Sequence, residues 1–488
     1  MYYQIKSNIM FRNYDKFGYI TDNRNYCYKK KSGNNFVVGD KILSESGALF
    51  VSVLSLQPKE MSELVTQIMK CIADVEYDVI NKDAKEFYSL LEGEGFIVSG
   101  ETFDECKKNN TNAFKTVISE KNKTSIDCIN NNIQLDTQDF FNKYYGSSPL
   151  LRSIHIEITS VCNERCIHCY IPNEFKNHHM DLALFNRIVE ESTEMKVLNF
   201  TLTGGEPMLH PNFLEIISTC KKRNISMNIL SNLTVLSEEI LDEIKSNPLI
   251  SIQASLYSID PDVHDEITTV KGSCSLTKNA IKKLVDNNVN IQISCPILKQ
   301  NVHCYLDVIN WAREMNINVS SDHNLLGKYD SNTDNLDCRL DYEDIRNIQK
   351  NISYTDRSDL EKDIEEKKAL SMDDAICSVC RYSFCVSEKG TVYPCAGWQN
   401  CVIGDLNKST LSQIWYESKE ISYLRNLKIK DFKKCLGCED RIYCSICMAR
   451  NANENKSHDP MQVSKYHCDL ARLKKEMLME NNLTTAST

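Results

Sequence analysis

Residues 158–169 read Ile158-Thr-Ser-Val-Cys162-Asn-Glu-Arg-Cys166-Ile-His-Cys169. The spacing is C-x3-C-x2-C, and it follows directly on a short apolar run, Ile154–Ile158, that predicts a β-strand. Three thiolates on one short loop can face a common metal centre, and thiolates favour iron–sulfur clusters or zinc. A 4Fe–4S cube with three protein ligands keeps one iron open to chelation by a small molecule. A zinc site would need a fourth ligand, for which His155 or His168 is at hand. Downstream, apolar runs at Val197–Leu202, Ser226–Leu230, Ile250–Ala254, Val289–Ser294 and Asn318–Ser321 alternate with amphipathic stretches at Leu182–Glu191, Asn212–Lys222, Glu238–Lys245, Leu276–Asp286 and Tyr305–Met315. Repeated β–α alternation predicts parallel strands in an α/β fold, either a doubly wound sheet or a partial (β/α)6 TIM barrel two units short of closure. Ligands on such a sheet bind at the carboxyl ends of the strands, which is where the three cysteines lie.

The rest of the chain sets the frame for that loop. At 488 residues it has room for about three domains. Apolar residues make up 42% and charged residues 25%, a globular composition that excludes collagen-like, coiled-coil and wholly disordered chains. The net charge of −10 argues against nucleic acid as a partner, since that affinity rests on phosphate neutralisation. Apolar runs such as Ala48–Leu54 are far below the ~18–20 residues of a membrane span. The start, MYYQIKSNIMFRNYDK, has no apolar core of a signal peptide. The expectation is therefore a cytoplasmic protein with no membrane and no nucleic-acid partner. Twenty-two cysteines in such a chain point to metal or catalytic sulfur rather than to disulfides.

Residues 1–100 read as a small α+β, winged-helix-like unit. Asn8–Ile20 and Arg24–Val38 predict a hairpin and a third strand, followed by helical patterns over Ser44–Ser55, Glu60–Ala73 and Asp83–Glu92. Residues 101–149 are rich in Asn, Lys, Thr and Asp and read as a linker or bridge. The barrel is expected over 150–345 and a second linker over 346–371. A Cys-rich domain over 372–475 and a tail over 476–488 complete the chain. Ten cysteines fall between Cys377 and Cys468, in two patterns. One is Cys377-x2-Cys380-x14-Cys395, with Gly390 five residues before Cys395. The other is Cys435-x2-Cys438-x5-Cys444-x2-Cys447, with Cys468 beyond. Eight thiolates are too many for one zinc.

A C-x3-C-x2-C loop after the first barrel strand, with Thr203-Gly-Gly-Glu-Pro207 after the second, resembles the radical S-adenosylmethionine (SAM) enzymes. The resemblance implies a 4Fe–4S cluster on Cys162, Cys166 and Cys169 whose open iron binds SAM. Reductive cleavage then yields a 5′-deoxyadenosyl radical that abstracts hydrogen from substrate. It also implies a SAM-binding role for Gly204, Gly205, Glu206 and Pro207. The residues agree: the glycines permit close backbone approach, and Glu206 offers charge to an ammonium group. Ser231, Asn232, Gln253 and Ser255 end the next two strands and suit a ribose or carboxylate, or simply cap those strands. Tyr170 is either an adenine neighbour or a plain core aromatic.

The C-terminal cysteines resemble the SPASM extension of this superfamily, which holds two auxiliary 4Fe–4S clusters, for three clusters in all. By that resemblance Cys377, Cys380, Cys395 and Cys447 hold the nearer cluster, and Cys435, Cys438, Cys444 and Cys468 the outer one. The spacing Cys444-x2-Cys447 is one residue shorter than the family's. Cys385 and Cys401 are left over, as replacements for Cys377 or free thiols. Cys295, which ends the fifth strand, and Cys304, which begins the following helix, are small apolar fillers or hydrogen-atom donors.

Residues 1–100 resemble the PqqD-like peptide-recognition element, in which a precursor peptide's leader adds a strand to the sheet edge beside the third helix. The cleft would lie between Tyr26–Val38 and Asp83–Leu91. Together these resemblances imply a maturase of ribosomally made peptides that installs a cross-link, a thioether from Cys sulfur to carbon foremost, with a flavodoxin or ferredoxin as electron donor. Carbon–carbon cross-linking, Cα epimerisation, oxidation of a protein side chain as in sulfatase maturation, and a non-catalytic iron–sulfur protein are the alternatives.

Overall fold

The computed structural model describes residues 1–14, 16–23, 41–110, 149–350 and 354–485. Six short strands near the N-terminus form two three-stranded sheets. In one, β1 (Tyr2–Ile5) lies between β5 (Lys59–Glu60) and β6 (Ile97–Gly100). In the other, β2 (Ile9–Tyr14) and β3 (Phe17–Asp22) form the expected hairpin, and β4 (Lys41–Leu43) pairs with β3. The strand expected over Arg24–Val38, and with it Tyr26–Val38, lies outside the described residues. The three expected helices span Glu45–Ser52, Met61–Met69 and Tyr77–Gly93. The Ser44 hydroxyl caps the first by accepting from the Gly47 amide at 3.2 Å. The stretch expected as a bridge opens with a further helix, Phe103–Asn109. Thr102 caps it, accepting from the Glu105 amide at 3.2 Å.

The barrel follows the β–α alternation closely. Strands β7 (Ser153–Thr159), β8 (Asn199–Gly204), β9 (Ser226–Ser231), β10 (Ile250–Ser255), β11 (Asn290–Ser294) and β12 (Asn318–Ser320) are all parallel neighbours. One helix was not expected, Pro261–Thr268, with Pro261 in its first turn and Asp260 accepting from the Asp262 amide at 3.0 Å.

The two faces of the barrel strands differ. Ile154, Ile156, Ile158, Phe200, Leu202, Met227, Ile229, Ile252 and Ile293 are fully buried in the main core. The main core also takes in Phe185, Ile188 and Val189 of the helix Leu182–Glu194. The alternate positions point into the barrel and are polar. The register aligns His155, Thr201, Asn228, Ser251 and Asn290 in one layer.

The Cys-rich region is not a detached unit. Its first strand, β13 (Ser383–Val386), pairs in parallel with β7, and β14 (Thr391–Tyr393) and β15 (Gly404–Asp405) extend the same sheet to nine strands. Nor is the N-terminal hairpin detached. Met10, Tyr14, Phe17 and Tyr19 share the barrel's core. The buried Arg12 guanidinium donates to the carbonyls of Val197 (2.9 Å) and Asn224 (2.7 Å), and the Asn23 amide donates to Pro248 (2.9 Å). Those carbonyls precede β8, β9 and β10, so the hairpin docks at the end of the barrel opposite the cysteine loop.

Candidate active site

The three cysteines leave the carboxyl end of β7 on a loop held from two sides. The helix Pro261–Thr268 supplies carbonyls that accept from the loop, Thr268 from the Arg165 amide (3.1 Å) and Ile267 from the Ile167 amide (3.0 Å). From the other side comes the Gly204-Gly205 turn. The Gly205 amide donates to the Thr159 carbonyl (2.8 Å) and the Glu206 amide to the Val161 carbonyl (2.9 Å). A Cβ on Gly204, whose φ is +130°, would lie 1.8 Å from the Thr159 oxygen, and one on Gly205 would lie 2.3 Å from the Val161 oxygen. The backbone that these glycines let approach is therefore the cysteine loop itself.

Glu206 is fully buried, and its carboxylate accepts from the Ser231 hydroxyl (2.8 Å) and from the amides of Asn232 (2.7 Å) and Met208 (3.1 Å). Burial outweighs those donors and pushes it up to about 7. Pro207 opens the short turn Pro207–Leu209 that this carboxylate caps. Ser231 and Asn232 thus spend their groups on protein partners. The Asn232 side chain donates to Asn163 of the cysteine loop (3.0 Å). Gln253 and Ser255 stay partly accessible on the barrel's inner face. Tyr170 does not stand alone: its hydroxyl donates to Glu157 of β7 at 3.4 Å.

Sequence reasoning missed four neighbours. Glu164, inside the motif, is buried, is pushed up to about 7 by burial, and has an Oε1 with no hydrogen-bond partner. Lys176 is buried beside the loop, and its charge partly offsets the desolvation that raises Cys162 to about 11. Tyr257 approaches Cys166 at 4.0 Å. Glu157, on β7, is pushed up to about 8 by burial, and Gln399 donates to it at 2.9 Å. An i, i+2 pair of polar residues in a buried parallel strand, His155 and Glu157, was the available signal.

The C-terminal cysteines fall into two electrostatic sets. Cys395 is raised by Cys447 and Cys377, Cys377 by Cys447, and Cys380 by Cys401, Cys395 and Cys377, all after burial. Cys444 is raised by Cys468, Cys435 and Cys438, and Cys435 by Cys438 and Cys468. Cys447, at the short spacing, is the N-cap residue of the helix Met448–Asn453. Cys380 sits at φ +55°, a left-handed backbone uncommon for cysteine. Burial, and then Glu420, raises Cys401; burial, and then the charges of Glu157 and Cys395, raises Cys385. Cys295 is fully buried with its thiol toward the Tyr257 carbonyl (3.7 Å), and Cys304 meets the Ser258 hydroxyl at 3.4 Å.

These sets are wider than a tetrahedral zinc site. A tetrahedral zinc holds sulfurs at about 2.3 Å, hence roughly 4 Å apart. Among the described residues no all-cysteine triad closes to within 4.8 Å. Buried polar atoms without partners line the space below the loop: Asn228 Oδ1, Ser251 Oγ and Asn318 Oδ1. That is the lining a polar small molecule needs.

Comparison with known proteins agrees with this geometry. Residues 156–312 match the family model of the radical SAM superfamily, and residues 377–439 that of SPASM, an iron–sulfur cluster-binding domain. The chain is a radical SAM enzyme. Its SPASM domain follows the barrel, and the two domains imply 4Fe–4S clusters and SAM binding. The radical SAM chain is 24% identical over 406 residues to the antilisterial bacteriocin subtilosin biosynthesis protein AlbA of Bacillus subtilis, covering 79% of this chain and 88% of that one. Its fold is similar to Streptococcus suis SuiB, solved with its precursor peptide SuiA. The TM-score is 0.58 at 15% identity, over 95% of this chain and 99% of SuiB. It is also similar to anSMEcpe with bound AdoMet, with TM-score 0.53 and 18% identity over 69% of this chain and 95% of that one. Among the described residues no helix is long and apolar enough to cross a membrane.

Proposed function

We propose that this radical SAM enzyme matures a ribosomally made precursor peptide in the cytoplasm, installing a thioether between a cysteine sulfur and a carbon of the peptide core. Cys162, Cys166 and Cys169 would hold the SAM-binding cluster. Cys377, Cys380, Cys395 and Cys447 would hold one auxiliary cluster, and Cys435, Cys438, Cys444 and Cys468 a second. When bound and reduced, SAM and its cluster supply a 5′-deoxyadenosyl radical. The chain's residues do the rest. Gly204 and Gly205 fix the cysteine loop over the barrel mouth, Glu206 ties that turn to β9, and the polar inner face binds substrate. Net cross-linking removes one electron more than hydrogen abstraction does, and the auxiliary clusters are suited to accept it. A reduced flavodoxin or ferredoxin would supply the priming electron.

The observation that carries the reading is the sheet edge at β4. Among the described residues β4 pairs only with β3, and Ile42 on it is 37% exposed. The helix Tyr77–Gly93 ends near it: Lys41 of β4 pairs with Glu94 at the helix's C-terminal end, a Cβ on Gly47 would lie 3.2 Å from Phe87, and Leu90 and Val79 are exposed apolar residues on it. An unpaired edge beside an apolar helix face is what a leader peptide needs for strand addition. SuiB, of like fold and solved with its precursor peptide, supports the same reading.

The test is anaerobic. The reconstituted enzyme is given dithionite, SAM and the precursor encoded beside its gene. Formation of 5′-deoxyadenosine together with peptide that has lost two hydrogens and one free thiol is expected. An Ile42→Asp, Leu90→Glu variant should lower peptide affinity at least tenfold and leave peptide-independent SAM cleavage unchanged. Deuterium uptake at Cα without a mass loss from cross-linking would replace the thioether reading with epimerisation. SAM cleavage with no effect of the edge variant would refute leader docking at β4.

A further inference from the structure

A second cluster of ligand-type side chains lies inside the barrel, made of residues that belong neither to the Cys162–Cys169 motif nor to either SPASM set. His155 and Glu157 point inward from β7, two residues apart. Cys385 on β13 is the direct register partner of His155. One ligand atom from each residue lies within 4.8 Å of the others, and among the described residues this is the only such triad. Glu157 and Cys385 are buried and His155 is half-buried. His155 Nε2 is buried with no hydrogen-bond partner, an expensive state for a ring nitrogen unless something binds it. The bonds from Gln399 (2.9 Å) and Tyr170 (3.4 Å) both fall on Glu157 Oε1. Oε2 takes neither bond and is left available as a ligand, with Oε1 held by outer partners as metal-bound carboxylates usually are.

We propose that His155, Glu157 and Cys385 bind one divalent cation of the zinc class, with the fourth position open to the barrel interior. The donor set is one imidazole nitrogen, one carboxylate oxygen and one thiolate, which suits tetrahedral zinc. Charge closes as well: a carboxylate and a thiolate neutralise a dication around a neutral imidazole, so the buried site carries no net charge. The parallel pairing of β13 with β7 is what brings the third ligand in, so the site joins the SPASM domain to the barrel. The open position faces the layer in which Thr201 neighbours His155, where a water or a substrate heteroatom can complete the shell.

The test uses iron-loaded wild-type enzyme, reconstituted without added zinc and then offered one equivalent of zinc chloride. About one zinc per chain beyond the iron is expected after desalting. X-ray absorption at the zinc edge should show one sulfur at about 2.3 Å and the remaining ligands at about 2.0–2.1 Å. Zinc below a tenth of an equivalent, or a shell of four sulfurs that places it in a cluster site, would overturn the proposal. His155→Gln and Cys385→Ser should each lower zinc at least tenfold with iron content unchanged. Full zinc retention in either variant would also overturn it. The absorption measurement on wild type decides the matter even where a variant misfolds.

Discussion

At the scale of single residues, close approach and burial set the sharpest constraints. Gly204 and Gly272 both have positive φ, but only Gly204 has backbone where a Cβ would go, the Thr159 oxygen at 1.8 Å; a Cβ on Gly272 meets nothing within 4 Å. Gly272→Ala should therefore cost only left-handed strain, about 1 kcal/mol. Gly204→Ala must move the cysteine loop, should cost about 4 kcal/mol, and should reduce SAM cleavage to background. Thermal melting and 5′-deoxyadenosine formation on the two variants check this contrast. Burial also fixes protonation. His264 is lowered to about 4, chiefly by burial, and its Nδ1 accepts the Tyr257 amide at 3.3 Å. A histidine held neutral in the fold takes up its proton only on unfolding, so its contribution is complete above pH 6.5. That contribution is lost as pH falls toward 4. By pH 5 the loss is about 2 kcal/mol. His264→Asn should flatten the decline in melting temperature between pH 6.5 and 5, with little change in that slope above pH 7.

At the scale of elements, the cysteine patterns and the strand that carries them make separate claims. Cys447 interacts with both Cys377 and Cys395, whereas Cys401 interacts with Cys380 alone of these thiols and is itself raised, after burial, by Glu420. Three cubes hold about 12 iron atoms. Cys447→Ala should bring iron toward about 8 per chain, and Cys401→Ala should leave it at about 12, as measured by iron and sulfide assay on reconstituted protein. Five of the six barrel strands were legible because each buries apolar residues between helices, and the run itself marks the strand; β12 offers only the half-buried Val319. The cysteine loop and the turn after β8 were legible from spacing alone. What was hidden had physical reasons. β5 has two residues and β13 four, too short for a period-2 pattern to register. The helix Pro261–Thr268, which pins the cysteine loop, is announced only by Asp260-Pro261. The helix Phe103–Asn109 is announced only by Thr102 and Glu105, a cap signature without a long apolar stripe behind it. Glu157 and Glu164 read as ordinary acids in sequence. Only the fold buries them beside the reacting space.

At the scale of the whole molecule, the N-terminal hairpin and the cysteine loop sit at opposite ends of the barrel. Removing residues 1–100 would uncover the barrel surface that Met10, Tyr14, Phe17 and Tyr19 cover and strip the Arg12 donors from the Val197 and Asn224 carbonyls, so truncation tests folding rather than recognition. The separation makes a better test. β7 runs the height of the barrel with seven residues, which at 3.3 Å each is about 20 Å. A leader held at β4 must therefore send its core at least that far before any side chain reaches the space beneath Cys162, Cys166 and Cys169. Extended chain covers at most about 3.5 Å per residue, so the spacer between the docked leader segment and the first modified residue needs about six residues or more. Precursors shortened in this spacer below about six residues should bind with unchanged affinity and still permit SAM cleavage, yet emerge without a cross-link. Lengthening the spacer with Gly and Ser should be tolerated, because each doubling adds only about 0.6 kcal/mol of loop entropy. Cross-linking that survives a two-residue spacer would mean that the leader docks near the barrel mouth and that the edge at β4 serves another strand.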